Sequence, residues 1–195
     1  MADAGGICTD DNRAYRKELL RNDRTVIIDE DEIGHEALSA KKPELIEAFG
    51  DGIIAEDGTV NRKKLGPIVF SNPDKLELLN SITHPWMVEK TLGICKAAEQ
   101  SGKNAVINAA ILESMGFVAS CDLIILVYAP FEVRLERARQ RDSISEEGFR
   151  RRSEAQKDIG LAAFSSGKRV LTIINDGSVD QLSRQVSLCC ANILK

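Results

Sequence analysis

Four short apolar runs set the frame of the chain. Thr25-Val-Ile-Ile28, Ala105-Val-Ile-Asn108, Leu123-Ile-Ile-Leu-Val127 and Val170-Leu-Thr-Ile-Ile174 are rich in β-branched residues and do not alternate with polar ones. Runs of this kind predict strands buried on both faces, as in a parallel sheet. Helical spacing fills the intervals. Asn72-Pro-Asp-Lys75 places a capping side chain before a proline at the first helical position, and Leu76, Leu79 and Ile82 continue along one face. Pro85 opens a further predicted helix, with Val88, Leu92 and Cys95 on one side until Ser101-Gly102 stops it. Phe131 to Arg141 predicts another helix, and Ser143 or Ser145 starts the next, Ser143-x-x-Glu146 fitting a capping box.

Strands alternating with helices predict an α/β fold, a parallel sheet with helices on both faces, in which ligands bind beyond the carboxyl ends of the strands. Residues 36 to about 100 are mainly helical and too long for a simple crossover, so they are expected to form an inserted subdomain of one domain spanning residues 1–195.

Composition narrows the class. The longest apolar stretch, Leu123 to Phe131, falls well short of a membrane span, and the first residues lack the charged and apolar pattern of a secretory signal, so a cytoplasmic protein without a membrane partner is expected. A net charge of -4 argues against nucleic acid as a partner. Five cysteines include no C-x-x-C pair and only two histidines accompany them, so reduced thiols and no built-in metal set are expected.

Three constellations could carry chemistry. Asp29-Glu-Asp-Glu32 follows the first run directly, where a carboxylate at a strand tip can orient or deprotonate a hydroxyl; the plainer reading is an acidic turn favouring the positive end of the next helix. Arg134, Arg137 and Arg141 share one helix face, with Arg150, Arg151 and Arg152 beyond a turn. They could clamp a polyphosphate, although Glu132, Glu136, Glu146 and Glu147 favour a solvated, neutralised face. Asn175-Asp-Gly177 after a strand is by itself a turn.

Taken together, these pieces resemble one family, the dephospho-coenzyme A kinases. Ile28-Asp-x-Asp-x-Ile-Gly-His35, Asp57-Gly-Thr-Val-Asn-Arg-Lys-Lys-Leu65 with Val69-Phe70, His84-Pro85, Ala109-Ala-Ile-Leu-Glu-Ser-Met-Gly116, Cys121-Asp122, Arg141-Asp142 with Arg152 and Gln156, and Asn175-Asp-Gly177 occur in the family's order and at its spacing, from residue 25 to about 190. The resemblance implies a P-loop-kinase-like fold with a helical acceptor-binding insertion and a lid near residues 137–157. It implies transfer of the γ-phosphoryl group of ATP, with Mg²⁺, to the ribose 3′-hydroxyl of dephospho-coenzyme A. Asp31 matches the catalytic carboxylate and Arg141 a lid arginine that would neutralise the transferring phosphoryl. Asn175 and Arg137 match positions at the nucleotide, and His84, Arg62 and Asn108 positions at the acceptor.

The start of the chain departs from the family. Where similar kinases carry G-x-x-x-x-G-K-S/T, this chain has Gly5-Gly-Ile-Cys-Thr-Asp-Asp-Asn-Arg13, so that Asp10 replaces the second loop glycine and Asp11 the lysine. Carboxylates there repel a triphosphate. Few residues precede Gly5 to form the first strand, and a misread start of the gene is the first expectation. A noncatalytic protein binding coenzyme A or a nucleotide is the second, and substitution of the lysine by Arg13, Arg16 or Lys17 the third. Calorimetric titration of the full chain is expected to show binding of dephospho-coenzyme A with poor binding of ATP; micromolar ATP affinity would contradict this.

Overall fold

The computed structural model describes residues 23–109, 112–142, 145–154 and 161–193. The chain divides into two compact units, Ile28–Ala109 on one side and Ala110–Lys195 with Met1–Ile27 on the other. The Gly5–Arg13 stretch and Ser143, Ala110, Ile111 and Gln156 lie outside the described residues.

Strand β1 (Thr25–Asp29) leads straight into helix α1 (Glu30–Ala40). Helix α2 (Lys42–Phe49), with Pro43 in its first turn, follows after Lys41. Gly50, at φ 82°, ends it in a conformation that favours glycine. A short antiparallel bridge, Ile54 to Val60, then closes over the turn Asp57-Gly58-Thr59. Asp57 Oδ1 accepts from both the amide and the hydroxyl of Thr59, at 2.9 and 2.7 Å, and Gly58 takes φ 78°. The turn delivers the chain to Asn61, which caps helix α3 (Arg62–Phe70) by accepting from the amides of Lys63 and Lys64. Leu45, Ile53, Leu65 and Val69 form the apolar centre of this unit, with Leu38, Phe49, Leu76, Leu79 and Ile82 packed against them.

Helix α4 (Pro73–Gln100) begins as its sequence predicts, Asn72 accepting from the amides of Asp74 and Lys75. It does not break at Pro85, however, and the two expected helices are one of 28 residues. A proline removes one intrahelical hydrogen bond and strains the preceding turn. Here the hydroxyls of Ser81 and Thr83 bond back to the carbonyls of Leu78 and Leu79, and Thr83, Met87 and Thr91 are buried on either side of the proline. Packing of both halves outweighs the local defect. Strand β2 (Asn104–Asn108) follows and pairs with β1.

In the other unit, strand β3 (Leu123–Tyr128) pairs in parallel with strand β4 (Arg169–Ile174), in register from Leu123 opposite Arg169 to Tyr128 opposite Ile174. Between them run α5 (Phe131–Asp142), α6 (Glu146–Glu154) and the short α7 (Leu161–Ser165), and α8 (Val179–Ile193) follows β4. Ser145 starts α6, its hydroxyl accepting from the Gly148 amide at 3.1 Å. Phe117, Ile124, Leu135, Ala138, Ala163, Ile173, Leu182 and Val186 are buried here.

The strands fall where the apolar runs predict, but they are less buried than expected. Only Ile28 in β1, Ile124 in β3 and Ile173 in β4 are buried among the described residues.

Candidate functional site

The acidic cluster at the end of β1 resolves into three different environments. Asp29 is the N-cap of α1 and its carboxylate accepts from the Asp31 amide at 3.0 Å. Asp31 and Glu32 occupy the first turn and are exposed, where the positive end of the helix favours their charge. Since the helix begins at Glu30, the alternation of a strand does not apply to Asp29 and Asp31: one terminates the strand, the other projects from a helix.

Glu30 is the exception, and sequence reasoning missed it. Its side chain is buried, and its Oε1 accepts from the hydroxyl of fully buried Thr91 on α4 at 2.6 Å. The other oxygen, Oε2, is buried without a hydrogen-bond partner. Burial, with the charges of Asp29 and Asp31 adding to it, pushes the Glu30 carboxyl above the usual carboxylate range against the lowering effect of Thr91. Only Thr91 recurring on the buried face of α4 with Thr83 and Met87 hinted that a polar partner waited there.

One of the acceptor-side candidates meets helix α1. Arg62, the first residue of α3, places its Nη1 against the Nε2 of His35 on α1. His84 sits half-buried on α4, and burial pushes its imidazole pKa down, so it is neutral at physiological pH. Asn108 ends β2 and is partly exposed. Lys90 bonds to Glu36 and lies over the Trp86 ring, 5.1 Å from its centre.

In the other unit the basic helix departs from the solvated face expected of it. Arg134 is buried, donating from Nε to the Ala129 carbonyl at 3.1 Å, with its guanidinium against the rings of Phe131 and Phe149. Arg137 is partly buried and donates to the carbonyls of Asn175, at 3.2 Å, and Gly177, at 3.3 Å. Buried Asn175 also donates its amide to the Tyr128 carbonyl at 2.7 Å. Arg137 and Asn175, both predicted at the nucleotide, are therefore in contact, and the loop after β4 is tied to both β3 and α5. Glu146 pairs instead with exposed Arg139 and Arg150, at 3.0 and 3.2 Å. Arg141 lies in the last turn of α5, and its side chain, like that of Arg152, lies outside the described residues.

Cys95 and Cys189 are half-buried free thiols whose pKa values burial pushes up, which favours the protonated form. Among the described residues no group of three or more His, Cys, Asp or Glu side chains could hold a metal ion. No helix among them is long and apolar enough to cross a membrane.

One unit thus holds an acidic strand-to-helix junction, and the other a basic helix bound to the loop beyond a parallel strand, within an α/β fold. Solved structures agree on the fold: a dephospho-CoA kinase from Campylobacter jejuni matches with a TM-score of 0.71 over 95% of this chain and 92% of its own at 23% identity, and a protein from Thermus thermophilus with 0.70 over 94% and 92% at 23%. A sequence model described as dephospho-CoA kinase matches residues 4–178. Proteins named dephospho-CoA kinase from Corynebacterium glutamicum, Aquifex aeolicus and Dehalococcoides mccartyi are 33%, 33% and 37% identical to it, covering 90%, 87% and 73% of the chain and 91%, 85% and 71% of their own lengths. This chain belongs to the dephospho-CoA kinase family. The family match reaches back to residue 4 and so takes in Gly5–Arg13, further than the motifs beginning at residue 25. Nothing in these matches supports the noncatalytic reading.

The Glu30 environment predicts a stability signature. A carboxyl whose pKa is raised on folding contributes most below its ordinary value, 4.5, and loses that contribution as pH rises through the folded value. Glu30→Gln keeps an acceptor for Thr91 and removes the ionisation. Thermal unfolding between about pH 4 and about pH 8 is therefore expected to show the variant gaining on the parent as pH rises; a gain that shrinks with pH would show that Glu30 is stabilised as an anion.

Proposed function

We propose that this chain transfers the γ-phosphoryl group of ATP to the ribose 3′-hydroxyl of dephospho-coenzyme A, the last step of coenzyme A synthesis. The observation that carries the reading, beside the family match, is the exposed Asp31 carboxylate in the first turn of α1, beyond the end of β1 and one turn from the His35–Arg62 contact. Asp29 is occupied by the Asp31 amide and Glu30 by Thr91, so among these three Asp31 is the carboxylate left to meet a substrate hydroxyl. It orients that hydroxyl and takes its proton as the new bond to phosphorus forms.

Arg62, His84 and Asn108 border the acceptor in this reading, and residues 36–100 form its binding insertion. Neutral His84 offers one donor and one acceptor rather than a charge. Asn175 and Arg137 serve the nucleotide: the loop from Asn175 to Gly177 faces the adenine, and Arg137 fixes that loop through its two carbonyl contacts. Arg141, in a lid over residues 137–157, balances charge on the phosphoryl group in flight. Mg²⁺ enters on the phosphates of ATP, as part of that substrate, and neutralises their charge there. In the family alignment Asp10 and Asp11 replace the second loop glycine and the lysine, and carboxylates at those positions disfavour a triphosphate.

A coupled ADP-release assay on a loop-restored form, with G-x-x-x-x-G-K-S at its start, tests the assignment. Asp31→Asn is expected to lower kcat about 10²-fold with ATP binding nearly intact. Asp29→Asn, which preserves a good N-cap, is expected to do less, and Arg141→Ala to lower kcat more than it raises the acceptor KM. A larger loss from Asp29→Asn than from Asp31→Asn would overturn the role of Asp31.

A further inference from the structure

His35 follows Asp31 by four residues on α1, the spacing that puts two side chains on one helix face. A guanidinium has only donors, so in its contact with Arg62 Nη1 the His35 Nε2 serves as the acceptor. This choice of partner has an electrostatic consequence. A carboxylate would fix Arg62 equally well, but it would cancel the charge; a ring nitrogen as acceptor fixes the guanidinium and leaves its charge available. Both side chains are exposed, so a ligand can reach them.

The surroundings point the same way. Lys63 and Lys64 follow Arg62 in the first turn of α3, with no acid among them, at the helix end where cations are disfavoured. Lys64 Nζ bonds to the Ile54 carbonyl at 3.2 Å, an uncharged partner again. Three cations collected at this end repel one another and the helix dipole, and an anionic ligand offsets that repulsion.

We propose that His35 is a positioning residue for Arg62, holding its guanidinium on the Asp31 side of α1 so that it receives the diphosphate of the acceptor. The proposal rests on the reading of Arg62 as an acceptor residue. The planar fork of arginine suits two phosphate oxygens, and a fork already fixed by His35 loses less rotamer freedom on binding than a free one. The same contact sets the distance between the acceptor's anionic group and the carboxylate that meets its hydroxyl.

Calorimetric titration of the full chain with dephospho-coenzyme A separates the two ideas. Arg62→Ala is expected to weaken binding about tenfold or more, and His35→Ala about three- to tenfold. The double variant is expected to bind no worse than Arg62→Ala alone, because His35 acts through Arg62. His35→Gln, whose amide oxygen offers an acceptor near the place of Nε2, is expected to stay within about twofold of the parent. An unchanged affinity in Arg62→Ala would remove the acceptor reading of Arg62, and the proposal with it. A loss in Arg62→Ala without one in His35→Ala, additive losses in the double variant, or His35→Gln as weak as His35→Ala would overturn the positioning role while leaving the acceptor reading intact.

Discussion

The hydrogen bond from the Asp31 amide to the Asp29 carboxylate decides where strand β1 stops and helix α1 starts. Everything assigned to the acceptor side depends on that junction: it sends Glu30 inward, sets Asp31 outward in the first turn, and brings His35 round to the same face one turn later. A cap of this kind contributes about 1 kcal/mol. Glu30 works against it, since its partnerless buried oxygen costs about 1–3 kcal/mol. The balance is therefore held by apolar burial next to the junction, where Ile28 and Ile33 each contribute about 1.5–3 kcal/mol. Packing holds a polar arrangement that would not hold itself.

The other unit makes the same use of backbone. Arg137 and the Tyr128 carbonyl together fix the loop that starts at Asn175, so a loop after a strand end, ordinarily the most adaptable part of such a fold, is bound at two points. Arg134 gives the neighbouring helices a shared anchor, with Phe131 of α5 and Phe149 of α6 on its guanidinium. The cations of α5 thus divide by role: Arg134 and Arg137 turn toward protein carbonyls, and Arg139 meets Glu146 at the surface.

Much of this was legible in the sequence, for reasons that are local. The four β-branched runs gave the strands because such runs bury themselves well in a sheet, and Asn72 gave the start of a helix because a short polar side chain bonds to nearby amides. The motif order gave the family. What escaped was tertiary. Pro85 predicted a helix boundary from local strain alone, whereas burial of Thr83 and Met87 carries the helix through it. The acids near Arg134 suggested a solvated face because their spacing is visible, while the Ala129 carbonyl and the two phenylalanine rings that bury the arginine are not. Glu30 looked like one acid among four, and the His35–Arg62 contact joins residues 27 apart that no periodicity connects.

The central claim is the chemical identity of the transfer, and the most direct measurement of it is the product. A loop-restored form of the chain, incubated with ATP and dephospho-coenzyme A, can be followed by phosphorus NMR and mass spectrometry of the acceptor. The account predicts one added phosphoryl group on the ribose 3′-hydroxyl, giving coenzyme A, in step with ADP. ADP formed with free phosphate and an unaltered acceptor, or a phosphoryl group on any other hydroxyl, would contradict it.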